Sequence, residues 1–289
     1  MANFLISFCL LTAVYAGHAT RHARALWVWH SHPIVQDAVQ RHEFFKFLEA
    51  PKGDSAGRIS VIFVSRIGVE DQSSSVAIAS FIAEAHHRSV RVDYLCGDES
   101  YILPAHLKDG LWQLEYVLKY NHSEPPGARF DGIQFDVEPY ALPGWPSSTL
   151  TKEYLGFLAD CRDRIRASRQ HVKLGAAIPR WFDVPELHGL YKSVLDRVDY
   201  VAVMDYVDKP ASFVNDAKQT VEYASKAGKE AWLGAEASEL PEEPHSTFYR
   251  LGNKAMEHAF QAAYHAFDLS NGFAGVAVEY YETYVALRP

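Results

Sequence analysis

Short apolar runs alternate with longer amphipathic stretches from Ala25 to Val278. The runs Ala25–Trp29, Ile59–Val64, Val90–Leu95, Gly132–Val137, Val172–Ile178, Tyr200–Met204, Ala231–Gly234 and Phe273–Val278 are mostly apolar on both faces, as parallel strands covered by helices are. Between them, Val35–Leu48, Ser74–His86, Pro104–Lys119, Leu150–Ala167, Pro185–Leu195, Ser212–Ala227 and Phe248–Phe267 carry apolar residues at helical spacing. Eight strands separated by helices predict an α/β chain folded as a single (β/α)8 TIM barrel. The rival is an open doubly wound sheet, which advertises a glycine-rich turn after its first strand. Here that turn reads Trp29-His30-Ser31-His32-Pro33, without glycine.

The fourth run departs from this apolar pattern. Phe130–Tyr140 reads FDGIQFDVEPY, with Ile133, Phe135 and Val137 on one face of a strand and Gln134, Asp136 and Glu138 on the other. Two acids about 7 Å apart along a strand repel each other, and burial pushes their pKa values apart. Pro139 closes the strand, since it cannot donate to a ladder. The chemical reading is a proton-transfer pair; the plain alternative is an acid pair capping neighbouring backbone.

Barrel chemistry sits where strands end and βα loops begin. Those ends carry Trp27, Trp29, His30 and His32, then Ser65 and Arg66, then Asp98 and Glu99. They continue with Asp136, Glu138 and Tyr140, with Arg180 and Trp181, and with Met204, Asp205 and Tyr206; Glu236 and Glu279 complete the ring. A mouth of acids and aromatic rings suits a carbohydrate, with rings stacking on sugar C–H faces and carboxylates accepting from hydroxyls. The expected catalytic set is Glu138, Asp136, Tyr206, Glu236, Glu279 and Asp205. The expected substrate-binding set is Trp27, Trp29, Asp98, Gln134, Tyr140, Trp181 and Met204. Neither a metal nor a cofactor is expected in this reading.

Net charge of −8 and the lack of a basic run argue against a nucleic-acid partner. Phe4–Val14 is an apolar run of signal-peptide length, too short to span a bilayer. Cleavage after Ala16 or Ala19 is expected, so 1–19 reads as a secretory signal and 20–289 as the barrel domain of a secreted, monomeric protein with no membrane span. Cys9 would leave with the signal; Cys96 and Cys161 remain, either paired or as free thiols. Asn121-His122-Ser123 is an N-glycosylation sequon, so a glycoprotein is expected.

At Asp131–Glu138 the chain resembles glycoside hydrolase family 18, the chitinase-type barrels, whose fourth strand carries Asp-Gly-x-Asp-x-Asp-x-Glu. Met204-Asp205-Tyr206 is similar to the Met-x-Tyr of the family's sixth strand. The resemblance implies Glu138 as general acid, Asp136 orienting a 2-acetamido group that acts as internal nucleophile, and Tyr206 hydrogen-bonding that group. Three positions depart. Gln134 replaces the middle aspartate, Val137 replaces a common tryptophan, and Glu279 stands where the family has the tryptophan that floors the sugar. A carboxylate cannot stack on a ring. In a two-carboxylate scheme, Glu138 would instead pair with Glu236, Glu279 or Asp205, retaining at about 5 Å separation and inverting at about 6.5–9.5 Å.

Two other classes compete. A metal-dependent hydrolase would use His30 and His32, whose His-x-His resembles that of the amidohydrolases, with the acids completing a shell. A non-catalytic lectin or inhibitor would keep the barrel and lose the acid pair, which this chain retains.

Overall fold

The computed structural model describes residues 23–69 and 73–289, so the expected signal segment 1–19 lies outside the described residues. The strands are β1 (Arg24–Val28), β2 (Val61–Ser65), β3 (Arg91–Cys96), β4 (Gly132–Phe135), β5 (Lys173–Pro179), β6 (Tyr200–Met204), β7 (Glu230–Glu236) and β8 (Phe273–Glu279). Each pairs in parallel with the next, and β1 pairs with β8, closing the barrel. The helices are α1 (His32–Gln36), α2 (Ala38–Glu49), α3 (Ser75–His87), α4 (Leu107–Ser123), α5 (Ser148–Ser168), α6 (Leu190–Leu195), α7 (Pro210–Asn215), α8 (Lys218–Ala227), α9 (Asn253–Phe267) and α10 (Tyr281–Ala286). Among the described residues, no helix is long and apolar enough to cross a membrane.

Strand alternation divides the core in two. Outward residues such as Leu26, Val64, Ile133, Phe135 and Val203 pack under the helices in one large cluster. Inward residues Ala25, Trp27, Phe63, Leu95, Tyr200 and Trp232 form a smaller cluster inside the barrel. Trp27 meets Phe63 at 5.4 Å between ring centroids, and Phe63 stacks on Tyr200 at 5.9 Å. These bulky rings require small partners opposite them. A Cβ on Gly175 would lie 2.1 Å from the Tyr200 ring, and one on Gly132 would lie 2.6 Å from the Asp93 carboxylate. Asp93 plugs the barrel floor, accepting from the Arg91 guanidinium at 3.0 and 2.9 Å and from the Tyr200 hydroxyl at 2.6 Å.

Several boundaries differ from the periodicity, each for a local reason. The first helical stretch breaks at Asp37, whose carboxylate caps α2 by accepting from the backbone N–H groups of Val39 and Gln40. The last long helix begins at Asn253 because Gly252 takes φ of +86°. Strand β4 ends at Phe135, two residues early. The Asp136 N–H still bonds the Cys96 carbonyl at 2.8 Å, so Asp136–Glu138 remain at the barrel mouth.

Outside the site, the structure chooses between the two alternatives for the cysteines: Cys96 and Cys161 are buried free thiols, and burial pushes both pKa values up. Asn121 is 3% exposed; its amide donates to the Phe130 carbonyl and its oxygen accepts from the Phe130 N–H. An asparagine used in this way on the inner face of α4 offers no free amide for a glycan.

Candidate active site

A cavity of about 250 Å³ opens at the C-terminal mouth of the barrel. Its walls are the inward residues just beyond the interior ring cluster. Strand β1 contributes Trp27 and Trp29, the β4 end Asp136 and Glu138, β5 Ala177, and β6 Met204 with Tyr206 beyond it; β7 contributes Glu236 and β8 Glu279. Four carboxyl groups thus face one small space, and no Lys, Arg or His is among the described lining.

Each acid is held differently. The Asp136 Oδ1 is sealed from solvent without a hydrogen-bond partner. Burial, and then the neighbouring Glu138 charge, push the Asp136 carboxyl up to about 7. Glu138 is half-buried and hydrogen-bonded to Tyr140; burial raises its pKa and that bond lowers it in part. Glu236 is 7% exposed and accepts from the Ser238 N–H at 2.6 Å, with its pKa raised by burial. Glu279 accepts from the Trp29 indole N–H at 2.5 Å and is pushed well up, chiefly by burial. Tyr206, likewise pushed well up by burial, keeps its phenol protonated as a donor.

The structure therefore gathers Glu138, Asp136, Tyr206, Glu236, Glu279, Trp27, Trp29 and Met204 around one cavity. It places the other sequence-derived candidates elsewhere. Asp205 is fully buried with both oxygens unpartnered, and its charged neighbours are Asp216, Arg180 and Asp183 rather than the cavity acids. The period-two alternation explains this, because Met204 and Tyr206 turn inward and Asp205 turns out. Gln134 sits one layer beneath the cavity, where its oxygen accepts from the Trp27 indole N–H at 2.7 Å. Asp98 is exposed and occupied locally, accepting from the backbone and hydroxyl of Ser100. Tyr140 and Trp181 meet edge to face at 5.0 Å beside Glu138, forming a rim outside the cavity. The His30 imidazole turns outward to Glu282 at 3.2 Å. Among the described residues, no group of three or more His, Cys, Asp and Glu side chains is placed to hold a metal ion.

Two further residues support the site. A Cβ on Gly97 would lie 1.9 Å from the Asp136 carbonyl oxygen, so this glycine permits a close approach of the β4 end. Ser238 anchors Glu236, its backbone N–H donating to the carboxylate at 2.6 Å.

No family model matches the sequence, and no curated protein matches it. Solved structures share the architecture. A GH18 chitinase from Pseudoalteromonas aurantia aligns over 91% of this chain and 97% of its own, at 10% identity and a TM-score of 0.61. A chitinase from Bacteroides thetaiotaomicron aligns over 91% and 90%, at 14% identity and 0.56. A chitinase-like agglutinin from Robinia pseudoacacia aligns over 90% and 95%, at 12% identity and 0.51. At these identities the likeness speaks for the fold, and it agrees with the resemblance carried by the fourth strand. The chain thus folds as a closed (β/α)8 barrel, the architecture that these carbohydrate-active proteins share.

Proposed function

We propose that the protein is a secreted glycoside hydrolase acting on an oligosaccharide or polysaccharide that contains amino sugar. The observation that carries this reading is the acid pair Asp136 and Glu138 at the end of β4, facing a walled cavity with two indoles and a phenol. Glu138, whose pKa burial raises, gives its proton to the glycosidic oxygen as the bond from that oxygen to the anomeric carbon breaks. Asp136, in its ionised form, stabilises the positive charge that builds on the sugar ring. One water is consumed overall: its oxygen ends on the anomeric carbon, and one of its protons replaces the one Glu138 gave. The fold likeness to true chitinases supports the reading, and the apolar run Phe4–Val14 supports secretion.

The test is hydrolysis of a panel of purified polysaccharides and amino-sugar oligomers by the mature protein, with and without chelator, beside Glu138→Gln. Chelator-resistant cleavage that disappears in the variant is expected. Full activity in Glu138→Gln would sink the assignment. The agglutinin that shares the fold gives the second reading, a sugar-binding protein, and binding without cleavage would favour it.

A further inference from the structure

The cavity is unusual in what it lacks. Its four carboxyls come from three separate strand ends, β4, β7 and β8, and no cation from β1, β5 or β6 faces them. The pocket is also poor in free hydrogen-bond donors. The Trp27 indole N–H is committed to Gln134 at 2.7 Å and the Trp29 indole N–H to Glu279 at 2.5 Å. The Tyr206 hydroxyl and whichever acids stay protonated are what remain. An acetamido group brings a carbonyl oxygen that needs donors, and it offers only one N–H to the acids. An ammonium group brings three donors and a positive charge to a site rich in acceptors. Asp136 and Glu236 both line this cavity as acceptors, Glu236 only 7% exposed in its wall.

We infer that the sugar held in this cavity carries a free, protonated amine, so that the substrate is a de-N-acetylated amino-sugar chain rather than an acetylated one. This rests on the glycosidase reading and narrows its substrate class. The ammonium sits among Asp136, Glu236 and Glu279, with Glu279 in the place where a flooring ring would otherwise lie. Empty, the pocket crowds like charges, and burial raises the pKa of each of its acids. An ammonium entering it lets at least one acid ionise, so binding releases protons. A free amine has no amide oxygen to close on the anomeric carbon. The second group in the reaction is then a carboxylate of the protein, either as the nucleophile or as the base that takes a proton from the attacking water.

The test uses Glu138→Gln protein, which binds without turnover, and calorimetry in two buffers of different ionisation enthalpy near neutral pH. The probes are glucosamine and galactosamine oligomers and their N-acetylated counterparts. The amine oligomers are expected to bind at least about tenfold more tightly and with proton release, and adding Glu279→Gln should cut that preference by about tenfold or more. Equal or tighter binding of the acetylated oligomers overturns the inference, as does binding of neither class. So does a Glu279→Gln effect that weakens both classes alike. Wild-type hydrolysis separates the two levels. Cleavage of acetylated chains alone keeps the glycosidase and rejects the free amine. Selective binding of amine chains without cleavage keeps the free amine and rejects the glycosidase.

Discussion

Replacing Asp136 by asparagine removes a charge while keeping the shape of the side chain. The Asp136 carboxyl is pushed up to about 7, first by burial and second by Glu138. In the unfolded chain an aspartate titrates near 3.9, by the usual reference. Between those two values the unfolded chain ionises this group while the folded protein keeps it protonated. The folded state is therefore unpenalised below about pH 4 and loses stability as the pH rises from about 4 to about 7, the reverse of a salt-bridged aspartate. At about 1.36 kcal/mol per pKa unit the whole difference is about 4 kcal/mol. One edge of the carboxyl faces the cavity and keeps some solvent, so about 2–4 kcal/mol is expected. Asp136→Asn cannot ionise and escapes this loss. Urea unfolding should find the variant more stable by about 2–4 kcal/mol near pH 8 and within about 0.5 kcal/mol near pH 4, with an unchanged dependence on urea. Equal stability near pH 8, or the same difference at both values, would refute the placement of Asp136 as a charge held at a cost. The same variant should lose most of its hydrolytic rate, and the acid limb of its kcat–pH profile should move, because Asp136 and Glu138 titrate together.

Three further perturbations follow from single contacts. Gly97→Ala would place a Cβ 1.9 Å from the Asp136 carbonyl oxygen and push the β4 end away, so kcat should fall by about a hundredfold with the fold intact by circular dichroism; wild-type kcat would count against the positioning role. Arg24, 2% exposed, donates to both Glu257 oxygens at 2.7 and 2.9 Å and to the Tyr284 hydroxyl at 2.8 Å, tying β1 to α9 and α10. Arg24→Met should cost about 3 kcal/mol by urea unfolding, and a change under about 1 kcal/mol would show the pair to be dispensable. Trp29→Phe keeps the ring and removes the N–H that Glu279 accepts, raising the Glu279 pKa further. Binding of amine-bearing oligomers should then weaken about tenfold by calorimetry, and unchanged affinity would deny Glu279 its part.

The barrel was legible because its signal is local and repeated. Each apolar run of strand length sits between helical stretches, and an error at one boundary does not disturb the others. The same period of two separated Ile133, Phe135 and Val137 from Asp136 and Glu138, and the structure divides them in that way. Two candidates drawn from chemical type lie away from the cavity for different reasons. Asp205 lies between Met204 and Tyr206 and by parity turns away from it. Gln134 shares the face of Asp136 but lies one layer deeper, where it meets Trp27 inside the barrel. At the Asn121 sequon, the three-residue motif carries no information on burial, and in the structure the Asn121 amide donates to Phe130.

By itself the sequence determined the architecture, the inward and outward faces of the strands, and which strand ends carry acids. Those properties depend on side-chain alternation and on the order of elements along the chain. Only the tertiary structure decided that acids from β4, β7 and β8 share one small cavity. It also decided that both mouth indoles are already committed, and that Gly97 is kept small by the Asp136 backbone. These are relations between residues tens to hundreds of positions apart. Their consequences, burial, repulsion and raised pKa, arise only when closure of the barrel removes water from between them.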